Sequence, residues 1–569
     1  MIDIDIHKIP PKTIAEFRNT TETENFQIPE KPENRKCTDI GFLIFLIHVV
    51  VTTIIFVAYN STIGTNYNRF LNGYDKCGDT CGISNRAVKT VQCSGKDLTN
   101  KPFMTFKFTD RKNDSKTKIE ILPDVCDNRC DPPNRLMFHR CIPDADQDRK
   151  ANIIINFAEF CNDLKLTINT IIIPMAIIGL VVSLCFFLGL RYSSRITVFG
   201  AVGITLISLL CFTSYIWYWF SENQDNTKLL YIGIVSSCAI FFQTIFICYF
   251  YNRYSIIIKM FKETTQTIFS MPSLVFVPLG TLAFLTVVTT SIVFLGALIS
   301  TNHYLREIPG HPSAYEYRDT KLATAGLACI VIFGIWTFAL ANGCQCMIVA
   351  GAISTYYFTR DKSTLQKPVY ASFFVLMRYH LGTVAFGSLC ITFLSIGRLC
   401  FEFISQYIKQ DWLKKRMKAF VSRIEATVEY LSKRAYIQTA MHGEPLYSSG
   451  KRAARLLWAN LLDTIVPHVV GNFIVISITI SVVLLGALFA IIVYKTTDLK
   501  VIYFWTIVAI GAGISGTIIY FFAQVLNVAV ETIFICFCED KLLHSGNNNE
   551  FFMSQELKTL IDEAKKIAN

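Results

Sequence analysis

Long apolar runs separated by short polar breaks set the pattern of this chain. Windows of the length a helix needs to cross a bilayer, about 20 residues, lie at 40–59, 166–190, 196–218, 229–251, 273–299, 324–349, 381–404, 464–494 and 501–530. Barrel strands would give short alternating segments instead, so the pattern predicts an all-α polytopic membrane protein. Around the spans it predicts a polar tail at 1–39, a first transmembrane helix at 40–59, a long loop at 60–165, a membrane domain at 166–538 and a second tail at 539–569. No apolar stretch with a small-residue cleavage site lies within the first tail, so the first span is expected to act as its own signal-anchor.

Composition agrees with this reading: 52% of residues are hydrophobic, 17% are charged, and the mean hydropathy is +0.40, a balance foreign to soluble domains. The net charge of +11 does not point to nucleic acid, because the bases sit in short loops beside apolar spans, where they report orientation. Lys31, Arg35 and Lys36 before the first span, Arg191 and Arg195, and Arg253, Lys259 and Lys262 all mark cytosolic loops. The same rule raises a parity problem. Both 359–379, with Arg360, Lys362, Lys367 and Arg378, and the basic segment 405–463, with Lys414, Lys415, Arg416 and Lys418, read as cytosolic, yet one window separates them. Either 381–404 is re-entrant, or an amphipathic piece of 405–463 completes a crossing, or one loop departs from the charge rule. With both tails cytosolic, about ten crossings are expected.

The loop 60–165 holds Cys77, Cys81, Cys93, Cys126, Cys130, Cys141 and Cys161. So many cysteines in an exterior loop predict a disulfide-stapled ectodomain rather than a zinc site, with the first six as candidates and the connectivity open. Asn113 in "NDS" is a glycosylation acceptor candidate. No phosphate loop, zinc-hydrolase or nucleophile-elbow motif occurs, so neither an enzyme nor a bound metal or other cofactor is expected. "GAGISG" at 511–516 fits a dinucleotide fingerprint, but it lies inside an apolar span, where small residues serve helix packing.

Several strings converge on one family. "RKCTDIGFLIF", "NGYDKCGDTCG", "AGAISTYYF", "YHLGTVAFGSLC", "AYIQTAMHGEPLYSSGKRAARLLWAN" and "ETIFICFCEDKLLHSGNNNEFFMSQELKTLI" together resemble the choline transporter-like family, in family order from about residue 35 to about residue 560. Cys77 and Cys538 stand where other residue types are expected in that family. The resemblance implies cytosolic termini and a glycosylated, cysteine-containing first exterior loop. It also implies transport of choline or related organic cations such as ethanolamine, without obligatory sodium coupling, by a multi-pass protein of the plasma membrane or, alternatively, a mitochondrial or other internal membrane. Oligomeric state is left open.

A quaternary ammonium offers no N–H donor, so its site should use aromatic faces. Trp336, Asn342, Gln345, Tyr356 and Tyr357, in and after the sixth span, combine rings with amides and are the candidate binding residues. Charged residues within or near spans are rare and informative. Arg398 and Glu402, four apart on one helix face, and Glu531 are the candidates for an intramembrane pair or for proton-coupled gating, and Asp39 reads as a helix-start residue. The competing reading is a membrane receptor or surface protein that works through its Cys-rich loop. A membrane enzyme acting on lipid head groups would need clustered His and Asp, whereas the 9 histidines are scattered.

Overall fold

The computed structural model describes residues 29–544 and Phe552, except for 63–66, 89–90, 92, 114–115, 132–134, 138, 143–152, 223, 225–226, 302, 309–313, 406–409, 460 and 498–500. Asn113 closes a strand, and its side chain lies outside the described residues. Among the described residues, seven helices are long and apolar enough to cross a membrane, with α1 (Ile40–Thr62) as a further apolar helix. This is a helical membrane protein.

The ectodomain follows α1. It begins with α2 (Tyr67–Asn72) and holds a sheet of β1 (Phe103–Asn113), β2 (Lys116–Asp127), β3 (Arg135–Met137) and β4 (Arg140–Ile142), in the order β2-β1-β4-β3. Three disulfides staple it: Cys77–Cys93, Cys81–Cys126 and Cys130–Cys141. Cys161 stays a free thiol. Cys81, Leu98, Met104 and Cys126 form its small apolar core, and buried carboxylates organise the loops around it. Asp75 accepts from the N–H groups of Cys77 and Asp79, each at 2.9 Å, and Asp79 from those of Gly95 and Lys96 at 2.9 and 3.0 Å.

The membrane domain runs through α3 (Ile153–Thr167), a π-turn at Ile168–Ile172, α4 (Ile173–Glu222), α5 (Thr227–Ser270) and α6 (Val277–Ile299). Windows 166–190 and 196–218 fall on the two halves of α4, which bends at Ser193 (φ −153°, ψ 85°), where the polar run Arg191–Arg195 interrupts the apolar pattern. The hairpin of β5 (His303–Glu307) and β6 (Tyr315–Asp319) joins α6 to α7 (Lys321–Phe358). This hairpin docks on the ectodomain. The N–H of Tyr315 donates to Lys76 O at 2.8 Å, the Tyr317 hydroxyl donates to Gly78 O at 2.7 Å, and the Arg69 guanidinium lies 3.9 Å over the Tyr317 ring. Gly78 is required there: its φ is +84°, and a Cβ would lie 2.8 Å from Leu305.

After α7 come α8 (Pro368–Val375), a π-turn at Leu376–His380 and α9 (Leu381–Ile404). Then follow α10 (Asp411–His442), α11 (Leu446–Ala459), α12 (Leu461–Thr496) and α13 (Phe504–His544). The last helix is central, with 89% of its apolar window buried against 11% for α6. Two small residues of "GAGISG" serve packing: Gly511 faces Met175 of α4, and Ser515 backs onto Gly179.

The contacts of α10 fix its direction relative to α9. Glu402 near the end of α9 meets Lys418 in the second turn of α10 at 3.1 Å, whereas the Tyr436 hydroxyl donates to Val384 O at 3.3 Å, close to the start of α9. The two helices are therefore antiparallel, and α10, 32 residues and about 48 Å long, carries the chain back. The segment 405–463 is divided between α10, charged over its first half and packed against neighbouring helices from Ser432 to His442, and the amphipathic α11.

Candidate functional site

Small residues bring α7, α9 and α10 together around Tyr436. A Cβ on Gly387 would collide with the Tyr436 hydroxyl, and one on Gly343 would lie 2.7 Å from Val384 and 3.2 Å from the Tyr436 ring. Only glycine leaves room for that ring between two helices, where close backbone approach, not hydrophobic drive, holds membrane helices together.

Beside this wedge α7, α9, α10 and α13 enclose a cavity of about 210 Å³. From α7 come Ile335, Phe338, Ala339, Asn342, Gly343 and Cys346; from α9, Ile391, Thr392 and Ser395; from α10, Lys433 and Tyr436; from α13, Tyr520 and Gln524. Three aromatic faces thus meet two amides, hydroxyls and one ammonium. The Tyr520 hydroxyl accepts the Asn342 amide at 3.2 Å and the Gln524 amide at 3.1 Å, and its ring stacks on Phe338 at 6.3 Å. The Gln524 carbonyl in turn accepts Lys433 Nζ at 3.1 Å, and Glu531 Oε1 lies 3.7 Å from the same ammonium. Within an apolar bundle such a chain is costly unless satisfied, so polar residues gathered there mark a pathway or a binding site.

The residues singled out from the sequence separate along α7. Asn342 lines the cavity. Gln345, one turn on and buried, ties α7 to α13 by donating to Phe521 O at 2.7 Å, and Trp336 ties α7 to α9 by donating to Ser388 Oγ at 3.0 Å. Tyr356 and Tyr357 lie about 20 Å from Asn342 along the helix. Lys362 Nζ sits 4.4 Å over the Tyr356 ring, and Tyr357 donates to the buried Asp540 at 3.2 Å. Glu402 and the exposed Arg398 stand at the far end of α9, outside the lining. Lys433, Tyr436, Tyr520 and Gln524 were not anticipated. The available signals were an amide in the apolar run "GTIIYFFAQVLN" and a lysine just before "AYIQTAMH".

A strap, Glu30–Asp39, closes the bundle at the end where α10 finishes. Glu30 N–H donates to Met441 O at 3.0 Å, Arg35 Nη2 to Ala440 O at 2.7 Å and Thr38 N–H to Tyr379 O at 2.9 Å. Burial lowers the Arg35 pKa to about 10, so the guanidinium stays charged at neutral pH and acts only as a donor. Its contact with His380 Nε2 at 3.2 Å therefore assigns that nitrogen as an acceptor, leaving Nδ1–H to donate to Thr38 Oγ1 at 2.8 Å. Asp39 has two tasks. Its carbonyl starts α1 by accepting Phe42 N–H at 3.0 Å, while its carboxylate accepts the Leu446 N–H at 3.0 Å and so caps α11.

Comparison with known proteins bears on this arrangement. A family model described as "Plasma-membrane choline transporter" matches residues 234–542, a stretch that contains all four helices of the cavity. Choline transporter-like protein 1 of Torpedo marmorata is 25% identical over 617 aligned positions, which cover 94% of this chain and 94% of the relative. Choline transporter-like protein 2 of Dictyostelium discoideum is 25% identical, over 93% of this chain and 95% of its own length, and choline transporter-like protein 3 of Homo sapiens is 23% identical, over 98% and 96%.

Proposed function

The chain belongs to the plasma-membrane choline transporter family, and from that premise we propose that it carries choline or a related small organic cation, ethanolamine included, through the cavity between α7, α9, α10 and α13. The observation that carries this reading is the lining itself. Phe338, Tyr436 and Tyr520 offer ring faces to a trimethylammonium, each contributing about 0.5–2 kcal/mol, and Asn342 and Gln524 are hydrogen-bonding partners for a hydroxyl. Alternating access fits a cavity backed by the Tyr436 wedge and by a strap that latches α9, α10 and α11 at one end. Glu531 behind Lys433 is the group through which proton exchange would act.

The same reading sets the topology. Residues 1–39 and 539–569 are cytosolic, 60–165 form the exterior loop, and ten crossings result when the halves of α4 are taken separately and α10 is the tenth. The plasma membrane is the expected residence, and Asn113 the glycan site. The ectodomain's ties to the β5–β6 hairpin favour a structural part of a transporter over a free-standing receptor module.

Purified protein in liposomes should show saturable uptake of radiolabelled choline, unchanged when sodium is replaced by potassium and reduced by excess ethanolamine. Uptake no greater than that of empty liposomes, with folding and orientation verified, would overturn the reading.

A further inference from the structure

A lysine is an unexpected wall for a cavity that receives a cation. Lys433 nevertheless lines it, with 17% of its side chain exposed, and its ammonium lies between two acceptors of α13: Gln524 Oε1 at 3.1 Å on the cavity side and the buried Glu531 Oε1 at 3.7 Å behind. Gln524 and Glu531 are seven residues, about two turns, apart on one face of α13. A flexible four-carbon stem lets the ammonium move between them without leaving the protein.

The geometry points to Lys433 as a tethered cation that the substrate displaces, an inference that rests on the cation-transport reading above. The ammonium holds Gln524 and neutralises Glu531. A substrate ammonium settling among Phe338, Tyr436 and Tyr520 repels it at short range in a medium of low dielectric, and Lys433 withdraws from Gln524 onto Glu531. The freed Gln524 carbonyl becomes available to the substrate hydroxyl.

Equilibrium binding of tritiated choline to the full-length purified protein tests this, with thermal unfolding as the control for folding. K433M removes the competitor and should bind choline at least tenfold more tightly. E531Q, which deprives the lysine of its retreat, should bind at least tenfold more weakly. Binding of the neutral isostere 3,3-dimethyl-1-butanol, which does not repel the ammonium, should tighten in K433M much less than that of choline, whereas a merely structural role for Lys433 would shift both alike. Should K433M fail to fold, K433Q, which keeps a hydrogen-bonding group beside Gln524, replaces it under the same expectation. A folded K433M or K433Q that binds choline no better than wild type overturns the displacement. Wild type that binds neither choline nor ethanolamine overturns the transport reading, and this inference with it.

Discussion

Tyr520 shows how one residue organises the cavity. Its hydroxyl takes two amide donors from different helices, and its ring forms part of the wall. Tyr520→Phe keeps the ring but leaves the Asn342 and Gln524 amides without that acceptor, a loss of about 1–3 kcal/mol for each donor left unsatisfied. The expected result is a rise of about tenfold in the KM for choline, read from uptake in liposomes, with the unfolding temperature lowered by a few degrees. An unchanged KM would mean that the two amides do not position the substrate. At this scale the sequence was only partly legible. Asn342 could be picked out because an amide in an apolar helix needs a reason. Tyr356 and Tyr357 looked equally good because hydropathy does not say how far along a 38-residue helix the cavity lies.

Among the elements, α10 departs furthest from what hydropathy reveals. Apolar windows locate spans that meet lipid, and α10 is instead covered by α7, α9 and α11 over its buried half. Its course back along α9 follows from Glu402–Lys418 and Tyr436–Val384, contacts between positions that no periodicity connects, and that it crosses the membrane is the proposal to be tested. In contrast, the two halves of α4 and the spans α5, α6, α7, α9, α12 and α13 were visible as apolar windows, since each is long enough to cross a bilayer. The ectodomain sheet was not visible, because cysteine spacing signals staples but not strand pairing. Labelling from opposite sides of sealed vesicles tests the crossing. A cysteine at exposed Lys415 (K415C) should react with an impermeant maleimide from the outside, and one at Tyr447 (Y447C) only from the cytosolic side, each read by the mass of its own peptide. Reaction of both from one side would mean that α10 does not cross.

On the scale of the whole molecule, the disulfide-stapled ectodomain and the helix bundle are tied through the β5–β6 hairpin. In the chain-entropy account a closed loop stabilises according to its length. The separation of 45 residues in Cys81–Cys126 then gives about 4 kcal/mol and that of 16 in Cys77–Cys93 about 3 kcal/mol. Removing Cys81–Cys126 by a paired alanine substitution should lower the thermal midpoint more than removing Cys77–Cys93, measured by unfolding of the purified protein. The reverse order would show that local packing around Asp75 and Asp79 outweighs loop closure. The strap gives the opposite end a similar tie. Asp39→Ala removes the α11 cap together with the acceptor of the Thr383 hydroxyl, and should cost about 0.5–2 kcal/mol on the same assay.

A transported cation that sits in the cavity bounded by α7, α9, α10 and α13 should protect a cysteine placed on its wall. With Ser395 replaced by cysteine in protein that still takes up choline, the rate of alkylation of that residue is followed by mass spectrometry, with and without saturating choline. Choline should slow alkylation at least fivefold, with half-protection at the concentration that half-saturates uptake. Alkylation at the same rate while choline is being transported would place the substrate elsewhere and contradict the account.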